Sequence, residues 1–331
     1  MTRNIVKIPS LLLALKPRSS ICGARRWMSV RPPDKHDMRE TGIASERLAR
    51  GKKVTIQHLH EMRQSGTPIA MVTAYDFPTG RACDSYGVDI TLVGDSLAQV
   101  CLGYDSTTRL TLDEMLHHCR AVARGSKIPF LVADMPFGSY HASSEDAVRN
   151  AVRLVQQGGV EAVKLEGGEE IAPTVRKLTS IGIPVMAHVG LLPQRHTSLS
   201  GYRVQGKDAL SARSVYNSAL ALENAGAFAI VLEAIPHLLG THITNRLSVP
   251  TIGIGAGPNT SGQVLVWDDL MSRWHGHKAK FVRRFADVQT EEMKGVSAYV
   301  SAVKTGTFPD SMNESYEMDE SEWRQFLEGL G

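Results

Sequence analysis

Six short apolar runs in this 331-residue chain each stop on a residue able to do chemistry. They are MVTAYD ending at Asp76, ITLVGD at Asp95, FLVAD at Asp134, AVKLE at Glu166, VMAH at His188 and AIVLE at Glu233. Their apolar residues do not alternate with polar ones, so each run reads as a strand buried on both faces. Helical segments separate them, and alternating strand and helix of this kind makes a parallel sheet. In a (β/α)8 TIM barrel, catalytic groups come from the carboxyl ends of several strands. Five carboxylates and a histidine at such ends describe one active-site rim, with an ion among its acids.

The punctuation between the runs is consistent with this reading. Thr55 is placed to cap a helix running through Met62 ahead of the first strand. Thr111 and Glu114 form a capping-box pattern opening the helix MLHHCRAVAR, which Gly125 closes. Ser143 or Ser144 caps EDAVRNAVRLVQQ, which stops at Gly158-Gly159, and PTVRKLTS ends before Gly182. The segment 212–225 (ARSVYNSALALENA) is an amphipathic helix ending at Gly226. Strands seven and eight are expected in TIGIGAG (251–257) and VLVWDD (264–269). The connection between them is shorter than the dozen or more residues of a usual parallel crossover. Counting strands alone therefore also allows an open doubly wound sheet, whereas the length of the chain favours a closed (β/α)8 barrel with a helix before strand one.

The ends of the chain differ from its middle. Residues 1–28 carry six basic residues, no Asp or Glu, and the apolar stretch LLLAL, the composition of a mitochondrial presequence or else of a disordered tail. Without them the balance is 31 basic to 34 acidic residues, against +3 for the whole chain. The body thus has no basic stripe for nucleic acid, and no run approaches the roughly 20 apolar residues of a membrane span. The domain reading is a presequence at 1–28, a polar linker at 29–53, a catalytic barrel at 54–309 and an acidic tail at 310–331 with a short helix around Glu322–Leu330. Of the four cysteines, Cys22 falls in the presequence. Cys83, Cys101 and Cys119 have no metal-site spacing and suit buried thiols in a reducing compartment.

Asp95, Asp134 and Glu166 end neighbouring strands, which lie about 4.8 Å apart. Three such carboxylates repel one another unless a cation lies between them, and oxygen-only ligation suits Mg²⁺; the competing reading is that some of them cap loops. Lys164, two residues before Glu166, points to the same side of its strand. It is open to a structural pairing with Glu166, to a substrate carboxylate, or to Schiff-base chemistry. Glu233 is a candidate general base or a strand-end salt bridge. His188 either orients a substrate oxygen or packs in the core, Asp76 either serves the site or caps a loop, and Ser96 offers a hydroxyl and an N–H to an anion. The glycines of 253–257 suit close packing better than a phosphate cradle.

The motifs VGDSLAQVCLGYDSTTRLTLDEM, LVADMPFGSY, AVKLEGG, AHVGLLPQ, GYRVQGKD, VLEAIP and TIGIGAG, in this order from about Val54 to Asp269, resemble the ketopantoate hydroxymethyltransferase family. The resemblance implies a (β/α)8 barrel that uses Mg²⁺ and 5,10-methylenetetrahydrofolate as co-substrate and assembles as a homo-oligomer. It implies hydroxymethyl transfer to 3-methyl-2-oxobutanoate, the first committed step of pantothenate synthesis. By the same resemblance Asp95 and Asp134 ligate the metal and contact the substrate, and Glu166 joins the metal through water. Ser96 and Lys164 hold the keto-acid carboxylate, His188 hydrogen-bonds within the site, and Glu233 is the catalytic base. A metal-dependent aldolase or lyase of the pyruvate-enolate type, needing no folate, is the alternative with the same barrel, ion and base. The chain departs from the family pattern in MSRWHGHKAKFVRRF, where Ala279 replaces an expected Pro, and at Leu192, where a Thr is usual.

Overall fold

The computed structural model describes residues 51–198, 200–273 and 278–331. The segment expected as a presequence (1–28, with Cys22) and the linker up to residue 50 lie outside the described residues. The described residues hold eight strands: β1 (Ile69–Thr73), β2 (Ile90–Val93), β3 (Phe130–Asp134), β4 (Ala162–Glu166), β5 (Val185–Gly190), β6 (Ala229–Glu233), β7 (Thr251–Ile254) and β8 (Gly262–Leu265). All are parallel, each pairs with the next, and β8 pairs with β1 to close the barrel. The closed barrel is the architecture expected from the alternation of runs, and the open sheet is excluded.

Helices follow the strands. They are α1 (Ile56–Ser65) before β1, α2 (Phe77–Ser85), α3 (Leu97–Val100), α4 (Leu112–Gly125), α5 (Ser144–Arg153), α6 (Ala172–Ser180), α7 (Ala209–Asn224) and α8 (His237–Arg246). The capping residues act as their chemistry requires. Thr55 accepts from the His58 N–H, the Thr111–Glu114 box closes in both directions, and Ser143 rather than Ser144 caps α5. Helix α7 starts three residues before the expected Ala212, because Asp208 accepts from the N–H groups of both Leu210 and Ser211.

The end of the barrel differs most from expectation. Strand β8 stops at Leu265, and Trp267-Asp268-Asp269 opens a short helix, α9 (Trp267–Met271), instead of extending the strand. Seven residues without a helix return the chain from β7 to β8. A four-residue strand rises about 13 Å, whereas seven extended residues reach up to about 23 Å, so the short strands make a direct return possible. Gly262 is needed where β8 crosses β1, since a Cβ there would lie 2.4 Å from the Ile69 carbonyl oxygen.

Two apolar cores result. One lies between the outer barrel surface and the helices and includes Leu116, Val122, Leu165, Val175, Leu178 and Leu222. The other fills the lower barrel interior with Ile69, Met71, Ile90, Phe130, Val132, Met186, Phe228 and Val231, and α1 seals it with Leu59 and Met62. Cys83 and Cys119 are buried as expected, whereas Cys101, just past α3, is exposed. Two further helices, α10 (Val288–Thr305) and α11 (Glu320–Glu328), bury no residue against the described chain. Among the described residues no helix is long and apolar enough to cross a membrane.

Candidate active site

The upper ends of β2 to β6 converge on a cavity of about 190 Å³. Asp95, Ser96, Asp134, Lys164, Glu166, His188 and Glu233 all line it, so seven of the candidates read from the sequence meet in one place. Asp134, Glu166 and Glu233 are the last residues of their strands, Asp95 lies two residues past β2, and His188 sits within β5. Asp76 is not among the lining residues. Its carboxylate accepts from the Thr79 N–H and caps α2, the capping alternative left open by the sequence.

The strand register sets the contacts. Asp134 lies beside Lys164, Glu166 beside His188, and Gly190 beside Glu233. Lys164 Nζ is 2.8 Å from Asp134 Oδ1 and 4.0 Å from Glu166 Oε1. The His188 ring bridges two acids, with Nδ1 3.4 Å from Glu166 Oε1 and Nε2 3.1 Å from Glu233 Oε2. These are ion-pair contacts without hydrogen-bond alignment, and Asp134 Oδ1, Glu166 Oε1 and both His188 nitrogens are buried with no hydrogen-bond partner. The Asp95 N–H donates to Asp134 Oδ2 at 2.9 Å. Gly190, at φ +96°, lets β5 approach β6 here, since a Cβ would lie 2.3 Å from the Glu233 carbonyl oxygen.

Burial and crowding of like charge dominate the electrostatics. Burial, then the neighbouring carboxylates of Asp134 and Glu166, push the Asp95 carboxyl well above its usual range. Burial acts on Glu166 in the same direction but is outweighed by His188, Lys164 and the Gln194 N–H, so its carboxyl lies below the usual value. Burial opposes the charge on Lys164, yet Asp134, Glu166 and Asp95 together raise its pKa. Burial and Lys164 also oppose the charge on His188, but Glu166 and Glu233 prevail and bring it to about 9. The excess of acid at this mouth thus holds two protonated bases and strains Asp95.

Five residues of the site were not singled out from the sequence. Tyr75, next to Asp76, receives the Thr73 hydroxyl at 2.7 Å and lies 2.8 Å from Ser96 Oγ, while Thr73 accepts from the Trp267 N–H. Gln194 and Tyr140 stand behind the acids, with the Tyr140 hydroxyl donating to Gln194 Oε1 at 2.8 Å. Tyr202, stacked on His196 with ring centroids 5.6 Å apart, lines the mouth. Each lies in a run or motif quoted above but carries no charge, the signal by which the acids were found.

The chain matches the family model described as ketopantoate hydroxymethyltransferase over residues 53–311. A relative from Carboxydothermus hydrogenoformans named 3-methyl-2-oxobutanoate hydroxymethyltransferase is 51% identical over 258 residues, covering 78% of this chain and 94% of that one. Another of that name, from Emericella nidulans, is 47% identical over 281 residues, covering 84% and 80%. Solved structures share the fold at low identity. A putative phosphonomutase from Burkholderia cenocepacia matches with a TM-score of 0.53 at 13% identity, covering 74% of this chain and 98% of that one. Phosphonopyruvate hydrolase in complex with oxalate and Mg²⁺ matches with a TM-score of 0.52 at 13% identity, covering 83% and 96%. At that distance the likeness concerns fold alone, whereas the near relatives share most of their length, and on that ground the chain belongs to the ketopantoate hydroxymethyltransferase family and forms ketopantoate from 3-methyl-2-oxobutanoate.

Proposed function

We propose that the cavity binds 3-methyl-2-oxobutanoate beside a Mg²⁺ ion and that Glu233 removes the proton from its C3. The observation that carries this is the placement of Glu233 across His188 from the acid group, on the same cavity. The donor set fits a hard divalent cation, because Asp134 Oδ1 and Glu166 Oε1 are buried without hydrogen bonds. Among the described residues no three ligating side chains are already drawn together as a closed cage. Mg²⁺ usually takes one or two carboxylates directly and keeps several waters. Asp95, Asp134 and Glu166 would hold the ion, which would supply a Lewis acid for the keto oxygen when bound.

The remaining steps fall to the chain. Lys164 and Ser96 receive the substrate carboxylate. Thr73 donates to the Tyr75 hydroxyl, which is hydrogen-bonded in turn to Ser96 Oγ and fixes where that hydroxyl stands in the cavity. His188 faces Glu233, with Nε2 3.1 Å from Glu233 Oε2, and keeps its carboxylate turned to the cavity. Glu233 takes the C3 proton, the enolate carbon bonds to the methylene carbon of 5,10-methylenetetrahydrofolate, the co-substrate, and water then replaces the folate nitrogen on that carbon, leaving a hydroxymethyl group on C3 and releasing tetrahydrofolate. The enzyme works in the mitochondrion as a homo-oligomer. In support of assembly, α10 carries exposed Met293, Val296, Tyr299, Val300 and Val303. A second pocket of about 550 Å³, lined by Gly255, Pro258, Phe281 and Phe285 among others, exposes further apolar surface.

Proton exchange at C3 tests the assignment. Glu233→Gln should slow deuterium uptake into the keto acid by about 10²- to 10⁴-fold, the usual contribution of a positioned base, while keto-acid binding persists. Unchanged uptake would remove Glu233 from the role. A product one carbon longer that appears only when the folate is added separates the transferase from a folate-free lyase.

A further inference from the structure

Gln194 lies in the turn Pro193–Arg195 after β5 and is 3% exposed. It is not among the residues that line the cavity, yet it is tied to the ends of three other strands. Its Nε2 donates to Asp95 Oδ2 at 2.9 Å and to the Met135 carbonyl at 3.0 Å. Its Oε1 accepts from the Tyr140 hydroxyl at 2.8 Å, and its backbone N–H donates to Glu166 Oε2 at 3.0 Å. A carboxamide has two N–H donors and an acceptor oxygen, and here all three kinds of position are used. Turned over, the amide would set its oxygen against a carboxylate and a carbonyl, so the network itself fixes its orientation. A carboxylate with one oxygen tied in this way presents its other oxygen in a fixed direction. Glu166 Oε1, opposite the anchored Oε2, is the oxygen left without a hydrogen bond.

The geometry points to Gln194 as the positioning residue of the metal site, acting through Asp95 and Glu166 to hold both carboxylates in the geometry that takes the divalent ion. The inference rests on the reading of those acids as metal ligands. A neutral amide is required because the position must donate towards Asp95 and accept from Tyr140 at once. Glutamate, of the same shape, would lose both donors and add a fourth buried acid. Methionine would keep the volume and lose every side-chain hydrogen bond. The Tyr140 hydroxyl acts on Asp95 through the Gln194 amide and also donates weakly, at 3.2 Å, to the Glu166 carbonyl.

Mn²⁺ titration of the full chain, followed by electron paramagnetic resonance with no turnover, reads this directly. Gln194→Met should raise the Mn²⁺ dissociation constant by about 10- to 100-fold, the range for loss of a group that orients a ligand. The Mg²⁺ concentration for half-maximal activity should rise in parallel, with kcat at saturating metal largely kept, a split that a merely structural residue would not produce. Tyr140→Phe should give a smaller shift in the same direction, and the double variant should be little worse than Gln194→Met alone. A folded Gln194→Met that binds Mn²⁺ within twofold of the parent would overturn the inference. Should that variant fail to fold, Tyr140→Phe decides, and an unshifted affinity there overturns it equally. Asp134→Ala separates the two levels. Retained tight Mn²⁺ binding in that variant would refute the metal reading itself, and with it the role of Gln194. Binding lost in Asp134→Ala but kept in Gln194→Met would refute Gln194 alone.

Discussion

The lower and upper halves of the barrel interior are built from the same strands and do opposite work. Below, the inward positions of β3 to β6 are Phe130, Val132, Ala162, Met186, Ala229 and Val231, packed on one another and on α1. One or two inward positions higher, the same strands carry Asp134, Lys164, Glu166, His188 and Glu233. The change takes place within a single strand, from Val132 to Asp134 and from Val231 to Glu233. It teaches that the lower half supplies stability, which the upper half spends on holding like charges together, in agreement with the usual division of labour between the two faces of such barrels.

The largest test of that contrast removes the cation that the acids share. Lys164→Met should lower stability by about 3–5 kcal/mol, the cost of leaving a buried partner charge uncompensated, as read from chemical denaturation. Added Mg²⁺ should recover part of the loss, and a variant as stable as the parent would mean that the upper half is not strained. In the lower half, Leu59→Ala should cost about 2–5 kcal/mol by opening a cavity under the barrel. Mn²⁺ affinity of the folded protein should stay within twofold, and a larger change would show that the two halves are coupled.

Smaller effects belong to neither half. Thr111→Ala breaks the capping box of α4 and should cost about 1 kcal/mol in thermal or chemical denaturation, with kinetics unchanged. The Tyr104 hydroxyl, donating at 2.7 Å, followed by Thr111, holds the Glu114 carboxyl below its usual 4.5. A group lowered on folding stabilises above its unfolded value, so this contribution is complete above about pH 5 and fades as pH falls through the lower folded value. Tyr104→Phe should weaken that acid dependence slightly, as measured by denaturation at pH 3–6.

Much of this was legible in the chain because it depended on local pattern. Runs buried on both faces marked β1 to β6, and their terminal residues marked the cavity. Strand β8 was not legible as it stands, since a helix-free return works only because β7 and β8 are four residues each, a length the pattern did not reveal. Trp267-Asp268-Asp269 reads as a strand end but begins a helix. Asp76, typed like the acids that line the cavity, turned out to be a cap, because Thr79 stands three residues on to complete the box. Gln194 and Tyr75 escaped notice for the converse reason. Their importance lies in hydrogen bonds to residues distant in sequence, and nothing in a neutral side chain announces such a partner.

The most direct measurement of the central claim is a crystal structure with Mn²⁺ and 3-methyl-2-oxobutanoate, the metal located by its anomalous scattering. The account predicts the ion between the carboxylates of Asp95 and Asp134, with the keto acid against Lys164 and Ser96 and its C3 facing Glu233. An ion bound elsewhere, or a substrate whose C3 is turned away from Glu233, would contradict it.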